Sequence, residues 1–232
     1  MIAQAYIENG VKVYISSRKA AVCEAVASEL SKIGTCIAIP ADLSSEEGRK
    51  NLVTEITKRE KSLDILVNNA GAVWAEPFEK YSEDGYDKVM DINVKAVFLL
   101  TRDLMPLLAA NASKENPTRV INIGSIDGLR VPEVDNFAYG PSKAAVHHLT
   151  RVLAVKLAQK GITVNAIAPG PFESKMTEWM LDHFKEQIES QCPLGRIGNP
   201  TDMSGLAVYL ASPAASYLNG VVIPLDGGIC IK

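Results

Sequence analysis

The sequence predicts an α/β fold: a doubly wound parallel sheet with helices on both faces. Three observations predict it. Short β-branched runs alternate with helical stretches along the whole chain. The strand runs (VKVYIS, LDILVNNAG, RVINIGS, ITVNAIAPG) are apolar almost without interruption, as strands covered on both faces are, rather than alternating polar and apolar. The polar and glycine-bearing residues collect where these runs end, at Ser17-Arg18, Asp42, Asn68-Asn69-Ala70-Gly71, Gly124-Ser125 and Pro169-Gly170. The carboxyl ends of the strands are where such a sheet binds its ligands.

Taken in order, residues 2–9 read as most of a helix that Gly10 ends, and Val11 to Ser17 as a strand. Lys19 to Ile33 carries Ala21, Val22, Ala25, Val26 and Leu30 at helical spacing. TCIAIPADL is a strand ending at Asp42. Ser44 or Ser45 caps the helix that follows, with Glu46 and Glu47 in its first turn to complement the dipole. LDILVNNAG runs into a glycine turn, a long helix covers about Gly85 to Ala110, and RVINIGS is the next strand. Tyr139 to Lys160 reads as a helix, ITVNAIAPG as a strand, 176–190 and 200–211 as helices, and GVVIPLDGG as a closing strand. With no repeat and no low-complexity linker, residues 1–232 read as a single domain.

Composition narrows the function classes. The chain has 232 residues, is 47% hydrophobic and carries a net charge of −3 without a basic patch, which argues against nucleic acid as a partner. No apolar run reaches the ~18 residues of a membrane span, and the N-terminus has no basic-then-apolar leader pattern. Cys23, Cys36, Cys192 and Cys230 are scattered with no CxxC pair. That predicts reduced, buried thiols in a cytoplasmic protein and no metal site.

Chemistry gathers around Tyr139-Gly-Pro-Ser-Lys143. Four-residue spacing at a helix start puts Tyr139 and Lys143 on one face. A phenol titrates near about 10, and a neighbouring ammonium favours the phenolate and lowers that value. A tyrosine so tuned exchanges a proton with a carbonyl or alcohol oxygen. Alone, the YxxxK spacing describes many surface tyrosines beside solvated lysines. Ser125, ending the preceding strand, and Asn93, in the helix before it, make that bland account hard to sustain for all four together. Ser142 competes as a hydroxyl, but directly before the lysine its side chain is expected to point elsewhere.

As an ordered set, Asn68-Asn69-Ala70-Gly71, Asn93 in DINV, Ser125 in INIGS, Tyr139 and Lys143 in YGPSK, Pro169-Gly170 in NAIAPGP and the terminal LDGG resemble the short-chain dehydrogenase/reductase family over essentially the whole chain. The texture of ENPTRVINIGSIDG and FAYGPSKAAVHHLTR is similar to NADPH-dependent 3-oxoacyl reductases related to the rhamnolipid-pathway enzyme. The resemblance implies a Rossmann fold. It implies that Tyr139 is the general acid in ketone reduction, that Lys143 lowers the tyrosine pKa and bonds the nicotinamide ribose, that Ser125 orients the substrate carbonyl, and that Asn93 holds a water in a relay to Lys143. Asn69, Ala70 and Gly71 would line the cofactor ribose, Asp42 and Leu43 flank the adenine, and Phe172 and Ser174 follow the Pro169-Gly170 turn near the carboxamide. The Ser125–Tyr139 spacing is one residue longer than in many family members, and the loop GLRVPEVDNFA absorbs it. A homo-oligomer, dimer or tetramer, pairing through the helices at about 85–110 and 137–160, is likewise implied.

The end of the strand at 11–17 bears on cofactor choice. An acid there binds a ribose 2′-hydroxyl, whereas an arginine suits a 2′-phosphate. Ser16-Ser17-Arg18-Lys19 has no acid, so NADP(H) is expected. Residues 173–199 read as a substrate lid in which Met176, Trp179, Met180 and Phe184 either line an apolar pocket or pack the lid on the body. His147 and His148 read as surface or subunit-contact residues.

The family opens with a strand and a TGxxxGIG turn, and Met1 falls just past where that turn would end. That strand is central, between the strands at 11–17 and 63–68, and each buried unpaired backbone group costs about 1–3 kcal/mol. The sequence therefore reads as an N-terminally truncated form of a longer reductase. The expected activity is NADPH-dependent reduction of a ketone such as a 3-oxoacyl thioester. Two alternatives stand beside it: a sugar or polyol dehydrogenase of the same family, or a catalytically inactive product in which the two flanking strands slide together and the chain acts as a binding or subunit-interaction protein.

Overall fold

The structure is a computed structural model that describes residues 1–132 and 134–232; Glu133, inside the loop read above as one residue longer, lies outside the described residues. Each strand expected from the sequence forms, over a shorter span than its apolar run. These are β1 (Val13–Ile15), β2 (Cys36–Ala38), β3 (Ile65–Asn68), β4 (Thr118–Ile123), β5 (Ile162–Pro169) and β6 (Val222–Leu225). Between them run α1 (Ile2–Glu8), α2 (Ala20–Leu30), α3 (Glu46–Arg59), α4 (Glu83–Met90), α5 (Ala96–Asp103), α6 (Met105–Ala110), α7 (Tyr139–Leu157), α8 (Glu178–Gln191) and α9 (Pro200–Ala211).

Local chemistry sets several of these boundaries. The Ser45 hydroxyl accepts the Gly48 N–H at 3.0 Å and so caps α3, with Glu46 and Glu47 in the first turn. Asn199 and Asp202 form a reciprocal capping box ahead of α9. The long helix expected over 85–110 is in fact broken. Pro106 lacks an N–H and its ring would meet the carbonyl of the preceding turn, so the chain leaves helical geometry at Leu104 and restarts as α6. Upstream, Asp91–Lys95 widens into a π-turn that buries Asn93.

All strand pairs are parallel. β3, β4, β5 and β6 form one sheet in that order, with Asn68 opposite Asn122 and Ile123 opposite Ile167; β1 and β2 form a second. Side chains alternate between two cores. Val120 and Val164 join Leu52, Ile56, Leu100, Leu104, Leu108 and Leu153 on one face, while Ile121 and Ile167 join Tyr6, Ile7, Phe172, Met203, Ala207 and Leu210 on the other.

Among the described residues β1 pairs only with β2 and β3 only with β4, so the two flanking strands have not slid together. Shared cores unite the two sheets instead. Val13 and Cys36 pack in the same cluster as Ile121 and Ile167, and Ile39 and Ala41 in the same cluster as Leu66 and Val120. Each large apolar side chain buried there is worth about 1.5–3 kcal/mol, against about 0.5–1.5 kcal/mol for a ladder hydrogen bond. Shared burial, and no ladder bond among the described residues, joins β1–β2 to the larger sheet. Tyr6 adds a tie, its hydroxyl donating to the Ala207 carbonyl at 3.1 Å. No described helix is long and apolar enough to cross a membrane.

Candidate active site

The first turn of α7 sits over the carboxyl end of β4. The helix starts where the Tyr139 N–H finds the Asn136 carbonyl at 2.8 Å, and Pro141 falls in the first turn, where a missing N–H costs nothing. Lys143, one turn on, is buried, and its Nζ donates to the Ile123 carbonyl at 2.9 Å. That Nζ lies 5.5 Å from the centroid of the Tyr139 ring. Ser125, buried just past β4, accepts the Asp127 N–H at 3.1 Å and lies near enough to the Tyr139 phenol to lower its pKa. The structure thus brings Ser125, Tyr139 and Lys143 together, as their spacing predicts.

The electrostatics correct one expectation. Tyr139 is not tuned downward: burial pushes its pKa up, the Ser125 hydrogen bond works against that rise, and the nearby Asp127 carboxyl adds to it. Lys143 is itself buried, which pushes its own pKa down to about 8. Asp127, which the sequence reading passed over, is raised by burial and sits with Arg130 at 3.8 Å. Its position two residues past Ser125 was the available signal.

Asn93 is close by, and its side chain is held by Ala72 and Ser142. Its Oδ1 accepts the Ala72 N–H at 2.8 Å, and its Nδ2 donates to the Ala72 carbonyl at 3.0 Å and to Ser142 Oγ at 2.8 Å. Both amide hydrogens are committed, so the side chain clamps the turn after β3. Ser142 points away from Ser125, as expected, and its partners give it a use: it accepts from Asn93 and donates to the Tyr139 carbonyl at 2.7 Å. Beneath these residues a buried chain links β3, β4, α5 and α7. Asn68 Nδ2 donates to Asn122 Oδ1 at 2.8 Å and to Thr101 Oγ1 at 3.1 Å, and Asn122 Nδ2 donates to Thr150 Oγ1 at 2.9 Å.

The remaining candidates spread along the strand ends. Asn69, Ala70 and Gly71 turn away from β3. A Cβ at Gly71 would come to 3.4 Å from Asn93 Oδ1 and 3.6 Å from Lys143 Nζ, so the glycine leaves a cradle open beside the lysine. Arg18 is exposed and close enough to Asp42 to help lower its pKa, although hydrogen bonds from Ser44 do more. The Ser17 carbonyl accepts the Ala41 N–H at 3.1 Å. Leu43 is half-buried, its carbonyl held by Arg49 at 2.8 Å. At the end of β5, Pro169 is followed by Gly170, whose Cβ would press on Asp226. Phe172 is not a wall of the groove: its ring is buried in the core against Gly198. The Ser174 and Thr177 hydroxyls bond each other at 2.9 Å, starting the turn into α8. Along the lid Met176, Trp179 and Phe184 are exposed and Met180 half-buried; Trp179 stacks on His183 at 4.7 Å. Packing on the body therefore does not account for those three exposed side chains; Leu181 alone of α8 is buried. His148 is exposed, but His147 is only 2% exposed, against the expectation of a surface residue. The four cysteines are unpaired, with Cys230 half-buried and the others buried.

These residues fit the nicotinamide end of a dinucleotide: Lys143 and the open cradle at Gly71 for a ribose, Ser125 and Tyr139 for a reacting oxygen. Arg18, exposed at the end of β1 where the strand itself supplies no acid, fits a 2′-phosphate even with Asp42 nearby. A glycine-rich turn for the pyrophosphate has no counterpart among the described residues.

Comparison with known proteins finds likenesses over nearly the whole chain. The family described as enoyl-(acyl carrier protein) reductase matches residues 1–230. The rhamnolipids biosynthesis 3-oxoacyl-[acyl-carrier-protein] reductase of Pseudomonas aeruginosa is 47% identical over 98% of this chain and 90% of its own length. A solved structure described as the Pseudomonas aeruginosa RhlG/NADP active-site complex superposes with a TM-score of 0.95 at 47% identity, covering 99% of this chain and 90% of that one. A gluconate 5-dehydrogenase from Beutenbergia cavernae, described as NAD(P)-dependent and with bound NADP, superposes with a TM-score of 0.89 at 36% identity, over 100% of this chain and 91% of its own.

Proposed function

The chain belongs to the short-chain dehydrogenase/reductase family, and we propose that within it this protein is an NADPH-dependent reductase of 3-oxoacyl thioesters or similar ketones. The observation that carries the reading is the arrangement of Tyr139, Ser125 and Lys143 at the end of β4. Bound NADPH supplies the hydride. The chain's own residues do the rest. Ser125 donates to the substrate carbonyl and fixes its orientation. Tyr139 gives its phenolic proton to the oxygen as charge develops there. Lys143, held by the Ile123 carbonyl, binds the ribose and stabilises the phenolate left behind. The family description names enoyl reduction, but a serine hydroxyl paired with a tyrosine acid is suited to a carbonyl oxygen.

Arg18 favours NADPH over NADH, in keeping with the NADP described in the relatives. The exposed Met176, Trp179 and Phe184 favour an acyl chain over a polyol, with residues 173–199 acting as the lid of a single domain spanning 1–232. A cytoplasmic homo-oligomer, dimer or tetramer, completes the proposal. A sugar or polyol dehydrogenase is the second reading, favoured by the gluconate dehydrogenase likeness. The test is NADPH fluorescence titration of the purified chain, followed by NADPH oxidation with acetoacetyl-CoA and, in reverse, NADP reduction with gluconate. Saturable NADPH binding and turnover of the thioester support the proposal. Turnover of gluconate alone selects the second reading, and absence of NADPH binding by the folded chain removes both.

A further inference from the structure

We infer that His147 is a positioning residue for this site: its buried imidazole is the surface on which the turn carrying Ser125 is set. The inference rests on the roles given above to Ser125 and Tyr139. α7 carries Tyr139, Lys143 and His147 at four-residue steps, so all three lie along one face of the helix. The first two have tasks in the reaction and the third has none.

Its contacts indicate what it does. Two glycines bracket Ser125, at 124 and 128, and the ring lies against both. A Cβ at Gly124 would overlap His147 Nε2 and come to 2.7 Å from its Cδ2; a Cβ at Gly128 would come to 2.8 Å from its Cε1. That second Cβ would also come to 2.7 Å from the Ala144 nitrogen and from the Lys143 carbonyl carbon, which are rigid helix backbone. Together with the Lys143 bond to the Ile123 carbonyl, α7 grips this segment at residues 123, 124 and 128. Ser125 is carried between the grips, and the same helix carries Tyr139. The spacing between the acid and the carbonyl-orienting hydroxyl is therefore fixed by one rigid element, with His147 as its spacer.

The choice of side chain fits a spacer. A buried polar group without partners is disfavoured relative to hydrocarbon of the same bulk, and neither ring nitrogen makes a well-formed hydrogen bond among the described residues. Burial, with Lys143 and Arg151 nearby, pushes the pKa of His147 down to about 4, so the ring is neutral. The flat neutral ring lies against both glycine backbones.

The test is a pair of crystal structures, wild type and His147→Leu, with steady-state kinetics on acetoacetyl-CoA. The expected result is a Ser125–Tyr139 separation changed by about 1 Å and a kcat lowered about 100-fold, with KM and NADPH affinity within about threefold of wild type. His147→Gln, whose amide is also planar, should recover part of the loss, and it carries the same measurements if the leucine variant does not fold. In a Ser125→Ala background His147→Leu should have little further effect on kcat, whereas a general loss of stability would add in full. An unmoved Ser125, or additive effects in the double variant, overturns the inference. If the wild type itself does not turn over acetoacetyl-CoA, the proposed substrate fails, while the crystallographic comparison still decides the role of His147.

Discussion

Lys143→Met isolates the cost of holding a charge where the reaction needs it. In the folded protein the lysine pKa falls from 10.5 to about 8, so below pH 8 the charged form is penalised by about 3 kcal/mol at about 1.36 kcal/mol per pH unit. Because the folded pKa is depressed, the unfolded chain holds the proton more tightly between pH 8 and 10.5. Stability from this group therefore rises with pH across that window. At pH 7 methionine removes the penalty but leaves the Ile123 carbonyl unpaired, at a cost of about 1–3 kcal/mol. The variant should be as stable as wild type there, or more stable by up to about 2 kcal/mol, while ketone reduction is lost. At pH 9.5 most of the wild-type penalty has been relieved. The difference between variant and wild type should then move against the variant by about 2 kcal/mol, or about 4–8 °C in Tm for a chain of this size. Thermal unfolding of both proteins at pH 7 and 9.5 measures that difference directly. A shift in Tm that is the same at both pH values would refute the buried-charge account of Lys143.

Three further outcomes follow from the same contacts. Arg18→Glu should raise the Kd for NADPH about tenfold or more and leave that for NADH little changed, read by fluorescence titration, because it removes a charge-assisted partner of the 2′-phosphate. Asn122→Ala strips an acceptor from Asn68 and a donor from Thr150 in a fully buried chain, and should lower stability by about 3 kcal/mol in urea unfolding. Ser142→Ala leaves an Asn93 amide hydrogen without its acceptor. It should cost about 1–3 kcal/mol and lower kcat by loosening the Ala72 clamp, with chevron and steady-state measurements separating the two effects.

The parts of this molecule that were legible in the sequence are those fixed by short-range spacing. Tyr139 and Lys143 share a face because a helix turns every 3.6 residues, and the strand ends could be read because nearly continuous apolar runs stop abruptly at Asn68, Gly124 and Pro169. The cap at Ser45 could be read for the same reason. What was missed depends on what lies across the chain. The interruption at Leu104 was visible in Pro106, but the π-turn at Asp91–Lys95 leaves no trace in the apolar period. It is through this turn that Asn93 reaches Ala72 and Ser142. The expected fall in the tyrosine pKa failed on burial, which a four-residue spacing does not report: the same closeness that puts an ammonium near the phenol takes both out of water.

His147 shows the limit most plainly. On a helical wheel it falls in line with the two reactive residues, and a histidine there looks like a surface residue until Gly124 and Gly128 are seen to lie against its ring. The two sheets make the complementary point. The hydrogen bonds that β1 and β3 would lack point, in the sequence, to a truncated form of a longer reductase, with a re-pairing of the two strands as an alternative. Among the described residues the strands have not re-paired, and Val13, Cys36, Ile121 and Ile167 share one core. Ladder bonds are replaceable by water at a sheet edge, whereas the apolar burial that spans both sheets has no substitute in water. The position of β1, and with it of Arg18, therefore depends on side-chain packing and not on strand register.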